Sequence, residues 1–326
     1  MKRDDGLALF CLNSGHHFAS QVATHLGVPL SAHEERDFED GEHKTRPLET
    51  VRNRDVFVVQ SLHSSDGLSS NDKLVRLLFL LAGLRDNGAA RITAVVPYLC
   101  YSRKDRRTKS RDPVNSRYIA QLFEAVSIDA MVTVDVHNRA AFENAFRCPT
   151  LHLSARDAFI DYLLPDLQDK PVTVASPDVG GVKRAELFRE ALESRLERPV
   201  GSAFMEKHRS RGELSGSAVV GDIGNRTVLI LDDLIAGGGT MQRAAQAFKT
   251  QGAEAVIALA THGVFSQEAN DKLASPVLSR VILGNTIAPT LAAAAMKKIE
   301  LVNITAGIAD TIAALHTGRD VSDLES

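Results

Sequence analysis

Apolar, β-branched runs of six to nine residues recur along the chain and alternate with stretches whose apolar positions fall at helical spacing. The runs are DVFVVQ (55–60), RITAVVPYL (91–99), AMVTVDV (130–136), PVTVAS (171–176), TVLILDD (227–233), AVIALATHG (255–263), RVILGNT (280–286) and IELVNIT (299–305). Apolar nearly throughout rather than at alternate positions, they predict strands buried on both faces. Between them, NDKLVRLLFLLAGLRDNGA places Leu74, Leu77, Leu78, Leu81 and Leu84 on one helical face; NSRYIAQLFEAV and DVGGVKRAELFREALESRL behave alike. Strand and helix in alternation predict an α/β fold with parallel sheets covered by helices. The rhythm runs twice. The first domain is expected to span 1–154, closing near FRCPTLHLSARD, where Pro149 interrupts the pattern. The second, 155–326, opens with the helix after Ser154.

Bulk properties narrow the class. A chain of 326 residues with 44% hydrophobic composition can bury a large core in two domains. A net charge of −3 gives no global field for nucleic acid or an acidic membrane surface, and no apolar run nears the roughly 18 residues of a membrane span. The N-terminal stretch does not read as a signal peptide. Cys11, Cys100 and Cys148 are widely spaced, form no metal-type pair, and are expected to fill small buried gaps. These features describe a soluble cytoplasmic protein.

In parallel α/β sheets, ligands gather beyond the carboxyl ends of the strands, so the residues after each run matter most. After TVLIL come Asp232 and Asp233, then Ala236-Gly237-Gly238-Gly239-Thr240, then a helix. Amides of a glycine-rich turn at a helix N-terminus favour a phosphate. The acids would repel that phosphate unless they meet another part of the ligand, and carboxylates accept hydrogen bonds from paired hydroxyls. A sugar phosphate satisfies both; a simple capping turn has the same composition. After AMVTV stand Asp135 and His137, and after PVTVAS stands Asp178 in a Gly-Gly turn. Carboxylate and imidazole at strand ends can hold a divalent metal or serve as turn residues. After RITAVVPYL, six bases fall within nine positions: Arg103, Lys104, Arg106, Arg107, Lys109 and Arg111. A polyanion such as a nucleoside triphosphate suits them, as does plain solvent. FMEKHRSRGE (204–213) offers cations fit for phosphoryl transfer, on what is otherwise an ordinary exposed hairpin.

The combination resembles the ribose-phosphate diphosphokinases, also called phosphoribosyl pyrophosphate synthases, along nearly the whole chain. FEDGE (38–42), VVQS (58–61), PYLCYSRKDRR (97–107), TVDVH (133–137), SPDVGGVKRA (176–185), EKHR (206–209), LDDLIAGGGT (231–240) and THGVFS (261–266) carry it. The resemblance implies two tandem phosphoribosyltransferase-like domains, each a mostly parallel sheet flanked by helices, with the last helix free to pack back on the first domain. It implies transfer of the diphosphoryl group of Mg-ATP to the C1 hydroxyl of ribose 5-phosphate, with Mg2+ as cofactor. Residue by residue, Asp232 and Asp233 match hydroxyl-binding acids, and Gly237, Gly238, Gly239 and Thr240 the phosphate turn. His137 and Asp178 match metal-linked positions, and Lys207 and Arg209 the catalytic loop. Phe38, Asp40, Glu42 and Arg103 match ATP contacts, with Lys104 beside them. The first three match a loop lent to a neighbouring subunit, which implies a homo-oligomer, a hexamer or a dimer.

Two departures stand out. The family's phosphate loop commonly reads Asp-Thr where this chain has Ala236-Gly237, and Lys104 replaces a usual Gln. Three functions remain open on the sequence: the active synthase, a weak regulatory homologue that binds one, and a phosphoribosyltransferase or a diphosphokinase for another phosphosugar.

Overall fold

The computed structural model describes residues 6–65, 67–210, 213–266, 268–322 and 324. The chain divides into two compact units, one formed by 1–154 together with 304–326, the other by 155–303.

In the first unit the elements are β1 (Leu7–Phe10), α1 (His16–Leu26), β2 (His33–Asp37), β3 (His43–Pro47), β4 (Asp55–Val59), α2 (Ser70–Asp86), β5 (Arg91–Val96), α3 (Asn115–Ala125), β6 (Ala130–Val134), α4 (Arg139–Ala145) and β7 (Thr150–Leu153). Among the described residues, β1-β4-β5-β6-β7 form a five-stranded sheet, parallel throughout. Its carboxyl ends therefore share one edge. Each strand is short and apolar because helices cover both faces: Phe10, Val58 and Val96 pack with Leu77, Leu81, Phe123 and Met131 in one core. The leucine face of α2 is buried as its spacing predicts, and a Ser69–Asp72 capping box starts the helix.

The second unit contains α5 (Arg156–Leu167), β8 (Val172–Ser176), α6 (Val182–Leu196), β9 (Gly201–Ser210), β10 (Glu213–Gly221), β11 (Thr227–Ile235), α7 (Gly239–Thr250), β12 (Ala255–Gly263), α8 (Ala269–Leu273), β13 (Arg280–Gly284), α9 (Leu291–Ala294) and β14 (Ile299–Val302). Its seven-stranded sheet, counted over the described residues, runs β10-β9-β8-β11-β12-β13-β14, and only the β9–β10 pair in it is antiparallel. Ile230, Val256 and Val281 pack against Met241 and Phe248 of α7.

The closing helix, α10 (Thr305–Thr317), belongs to the first unit, where it packs on α1. Arg91 Nη2 donates to the carbonyl of Leu315 at 2.8 Å, and His316 Nδ1 lies 2.8 Å from Asp55 Oδ2. Pro149 stands immediately before β7, the strand that completes the first sheet, and the first unit's continuous stretch closes just after it at Ser154. No helix among the described residues is long and apolar enough to cross a membrane. Cys11 and Cys100 are buried and Cys148 half-buried; burial pushes their thiols up to about 12, 12 and 11, so they fill space rather than react.

Candidate functional site

In the second unit the site grows from the end of β11. This strand pairs with β12 out to Ile235, whereas it pairs with β8 only to Ile230, so its last residues extend past β8. Asp232 and Asp233 stand on that stretch, Asp233 only 2% exposed and Asp232 half-buried. The amide of Asp233 donates to Asp232 Oδ1 at 2.9 Å. Burial, then the hydrogen bond and charge of Asp233, raise the Asp232 carboxyl well above the ordinary range. Arg184, in the first turn of α6, answers part of this charge: its Nη1 lies 3.4 Å from Asp232 Oδ1 and 3.1 Å from Asp233 Oδ1. Arg184 was not singled out from the sequence. Its signal was its place in VKRA, one turn beyond the Gly-Gly bend that brings α6 against β11.

Four residues past Ile235, α7 begins. Gly238 is its N-cap, with φ +69°, and no side chain caps the helix, so the amides that open α7 have no side-chain acceptor there. A Cβ at Gly238 would also lie 3.3 Å from both Lys272 Cβ and Leu273 Cγ, so conformation and packing each require glycine. Two cations flank the turn. Arg243 Nη2 lies 3.4 Å from Thr240 Oγ1, and Lys272, paired with Glu268 at 2.9 Å, packs against Gly238 and Gly239. The structure thus brings Asp232, Asp233, Gly237, Gly238, Gly239 and Thr240 together on one short arc of chain, acids first and free amides after.

Asp178 sits beside this arc. Its carboxylate accepts from the amide of Gly180 at 3.0 Å, and its carbonyl accepts from Ser176 Oγ at 2.5 Å, which fixes the bend between β8 and α6. Gly181 touches this bend closely: a Cβ there would meet Ser176 Oγ at 2.6 Å and the Leu231 carbonyl at 4.0 Å. Lys207 and Arg209 lie on β9, and their side chains fall outside the described residues. Phe204 pairs with Ser176, the last residue of β8, so Lys207 is three residues, roughly 10 Å, beyond the sheet edge. The β9–β10 hairpin therefore projects past the strand ends on the side where β11 carries its acids.

In the first unit the candidates fall on separate loops. Asp135, with φ 38°, turns the chain sharply after β6, and His137 follows on an exposed bend before Asn138 caps α4. His137 and Asp178 thus belong to different units. Phe38, Asp40 and Glu42 form the tip of the β2–β3 hairpin, closed by the Phe38 amide on the Glu42 carbonyl at 2.8 Å, with the Arg36 guanidinium 5.2 Å from the Phe38 ring centre. That hairpin packs on α2 through Arg76–Asp37 at 2.6 Å and the His43–Phe79 stack at 5.4 Å. Arg103 and Lys104 stand on the loop after β5. Arg103, Arg106, Arg107, Lys109 and Arg111 are exposed, whereas Lys104 turns inward to Asp112 at 2.5 Å.

A magnesium ion that travels with nucleotide phosphates needs only one or two protein ligands. Asp178, whose carboxylate accepts from the Gly180 amide, and His137, exposed after β6, carry the oxygen and nitrogen donors such an ion accepts.

Acids leading into bare amides in one unit, and a dense set of exposed cations in the other, define a two-unit α/β protein for phosphorylated ligands. The comparisons specify which. The model of the N-terminal domain of ribose phosphate pyrophosphokinase matches residues 7–126, and that of the phosphoribosyl synthetase-associated domain matches 200–325. The ribose-phosphate pyrophosphokinase of Wolinella succinogenes is 32% identical over 98% of this chain and 99% of its own length. Ribose-phosphate pyrophosphokinase A of Dictyostelium discoideum is 33% identical over 99% of this chain and 98% of its own. The crystal structure of phosphoribosylpyrophosphate synthetase from Mycobacterium smegmatis superimposes with a TM-score of 0.88 at 33% identity, covering 96% of this chain and 99% of that one. The chain belongs to the ribose-phosphate pyrophosphokinase family, and its two units have the phosphoribosyltransferase-type fold.

Proposed function

We propose that this chain is a ribose-phosphate diphosphokinase. It transfers the diphosphoryl group of ATP to the C1 hydroxyl of ribose 5-phosphate and yields phosphoribosyl pyrophosphate and AMP. The observation that carries the reading is the run from a carboxylate pair to an uncapped helix N-terminus within LDDLIAGGGT. Its two halves are complementary to the two ends of one small molecule.

Asp232 and Asp233 accept hydrogen bonds from the sugar hydroxyls and displace the guanidinium of Arg184. The amides from Gly237 to Thr240 hold the 5-phosphate, with the positive end of the α7 dipole behind them. Anchoring both ends of the sugar orients the C1 oxygen for in-line attack on the β-phosphorus of ATP, as the bond from that phosphorus to the oxygen bridging the α-phosphate breaks. Lys207 and Arg209, on the projecting hairpin, stabilise charge on the transferring oxygens and exclude water. Arg103 and Lys104 serve the ATP side, and Phe38, Asp40 and Glu42 serve the ATP site of a neighbouring copy in a homo-oligomer, a hexamer or a dimer. Asp178 and His137, the positions the resemblance links to metal, would hold magnesium together with ATP, and that charge would offset the phosphoryl oxygens. The setting is the cytoplasm, with no nucleic acid or membrane partner.

Ala236 and Gly237 remove an acid and a hydroxyl from the loop but no amide, so phosphate binding is retained. Phosphorus NMR of the purified protein with ATP, magnesium and ribose 5-phosphate tests the reading. Matched growth of AMP and phosphoribosyl pyrophosphate supports it. No product at high enzyme concentration, with phosphate and ions varied, removes it for this sugar.

A further inference from the structure

Asp112, in the loop between β5 and α3, is an acid that simple electrostatics would remove. Asp112 lies among Arg103, Arg106, Arg107, Lys109 and Arg111, where a carboxylate can only repel a polyanion. Yet it is the most heavily bonded side chain of the loop. Its Oδ2 accepts from Lys104 Nζ at 2.5 Å, Thr108 Oγ1 at 2.7 Å, the Lys109 amide at 3.0 Å and the Thr108 amide at 3.1 Å. Lys104 Nζ also reaches Thr108 Oγ1 at 3.1 Å. The Lys104 bond, with those from Thr108 and Lys109, holds the Asp112 carboxyl far below the usual carboxylate range. The charge of Lys104, in the position where the resemblance leads one to expect Gln, is thus answered within the loop by Asp112.

The backbone shows what this knot restrains. Tyr101 and Arg111, at either end of the loop, adopt left-handed φ of 61° and 67°, which non-glycine residues rarely take without support. The turn between Lys109 and Asp112 is closed by one backbone bond of 3.2 Å. The Lys104 carbonyl accepts from the Ser116 amide at 3.3 Å, so the same residue ties the loop to the start of α3. A second strut joins Asp105 Oδ2 to Asn138 Nδ2 at 2.6 Å, beside the bend that carries His137. Five mutually repelling cations are in this way held on one tight loop by an internal acid.

We propose that Lys104 and Asp112 are positioning residues for the nucleotide: they hold the 103–111 loop in the shape in which its exposed cations receive a polyphosphate, and neither touches it. The proposal rests on the reading of this loop as the ATP side of the site. Pre-arranged cations bind a polyanion without the cost of first ordering the loop, so the effect belongs to ATP affinity.

The test is calorimetric titration of the full chain with Mg-ATP and, separately, with ribose 5-phosphate, in Lys104→Met, Asp112→Asn and the double variant. Asp112→Asn removes a negative charge from a polyanion site, so direct electrostatics predicts tighter Mg-ATP binding. The positioning role predicts weaker binding, by about three- to tenfold, a similar loss for Lys104→Met, and no further loss in the double variant. Ribose 5-phosphate affinity stays unchanged in all three. Tighter or unaltered Mg-ATP binding by Asp112→Asn, or losses that sum in the double variant, overturns the proposal, as does a wild-type chain that does not bind Mg-ATP. Should a variant fail to fold, Thr108→Val removes one donor to Asp112 with both charges kept; weaker Mg-ATP binding supports the proposal and unchanged binding overturns it. Wild-type chain that binds Mg-ATP but makes no phosphoribosyl pyrophosphate defeats the synthase reading alone.

Discussion

The two units share a mostly parallel sheet with loops at the carboxyl ends, yet the phosphate sites proposed for them are built in opposite ways. In the first, exposed guanidinium and ammonium groups crowd the loop after β5, organised around Asp112. In the second, the loop after β11 leads with Asp232 and Asp233, and the groups proposed to receive the anion are main-chain amides at the start of α7, which no side chain caps. The difference follows from the ligand each would hold. A polyphosphate has charge and little else to recognise, so exposed cations suffice, and salt screens them. A phosphosugar has hydroxyls at one end and a phosphate at the other, which requires acids and amides at fixed separation. Fixed amides come from backbone, which explains why glycine at 238 is imposed twice over.

The largest expected break in this comparison lies outside both loops. Lys207→Ala should lower turnover by on the order of a hundredfold or more while ribose 5-phosphate binding changes far less, because a transition-state cation is lost. Steady-state kinetics with each substrate varied checks it, and a near-wild-type turnover would remove Lys207 from the mechanism. Next in size, Gly238→Ala forces a Cβ into a left-handed turn packed against α8. The expected outcome is ribose 5-phosphate affinity reduced on the order of tenfold, with Mg-ATP affinity kept. Equal losses for both ligands would show that the turn supports more than the sugar site.

Smaller effects sharpen the contrast. The carboxyl of Asp232 is raised, so its acceptor form is lost earlier on acidification than that of an ordinary aspartate, and ribose 5-phosphate affinity should fall as pH drops through that range. Arg184 is the cation that lowers it, so Arg184→Met should move this acid limb to higher pH; a limb that stays in place separates Asp232 from sugar binding. The same raised carboxyl favours the protonated folded form, so the unliganded protein gives up this contribution to stability as pH rises through the titration. Least of all, raising salt from about 0.05 to 0.5 M should weaken Mg-ATP binding by several-fold more than ribose 5-phosphate binding, since exposed cations are screened and amides are not. Titrations at the two salt concentrations read the difference directly.

Much of this architecture is visible in the hydrophobic pattern. All eight apolar runs became strands, seven of them buried through most of their length as continuous apolar signatures predict; the eighth, β14, lies at the sheet edge with only Val302 buried, so its apolar run did not mean burial on both faces. Elements stabilised from elsewhere were not visible. β2 and β3, HEERD and HKTRP, have no apolar alternation, and exist as a hairpin because Arg76 and Phe79 of α2 receive their charges and rings. β1 and β7 have four residues each, too few for a period to emerge. Assignment of α10 to the first unit rests on Arg91 and Asp55, more than two hundred residues away in sequence. At the site, the acids and glycines of LDDLIAGGGT were legible because strand, turn and helix follow in order. Arg184 was not, because its role depends on how α6 meets β11. Lys104 was legible as a charge, but its partner Asp112 is reached through a turn with Arg111 at positive φ, which no propensity announces.

The central claim is a division of labour between the two strand-end loops, and equilibrium titration of two variants tests it most directly. Asp233→Asn should abolish measurable ribose 5-phosphate binding and leave Mg-ATP binding within about twofold. Arg103→Met with Arg107→Met should do the reverse. That crossed pattern is the predicted result. Both ligands weakened alike by both variants, or ribose 5-phosphate bound normally without the Asp233 carboxylate, would contradict it.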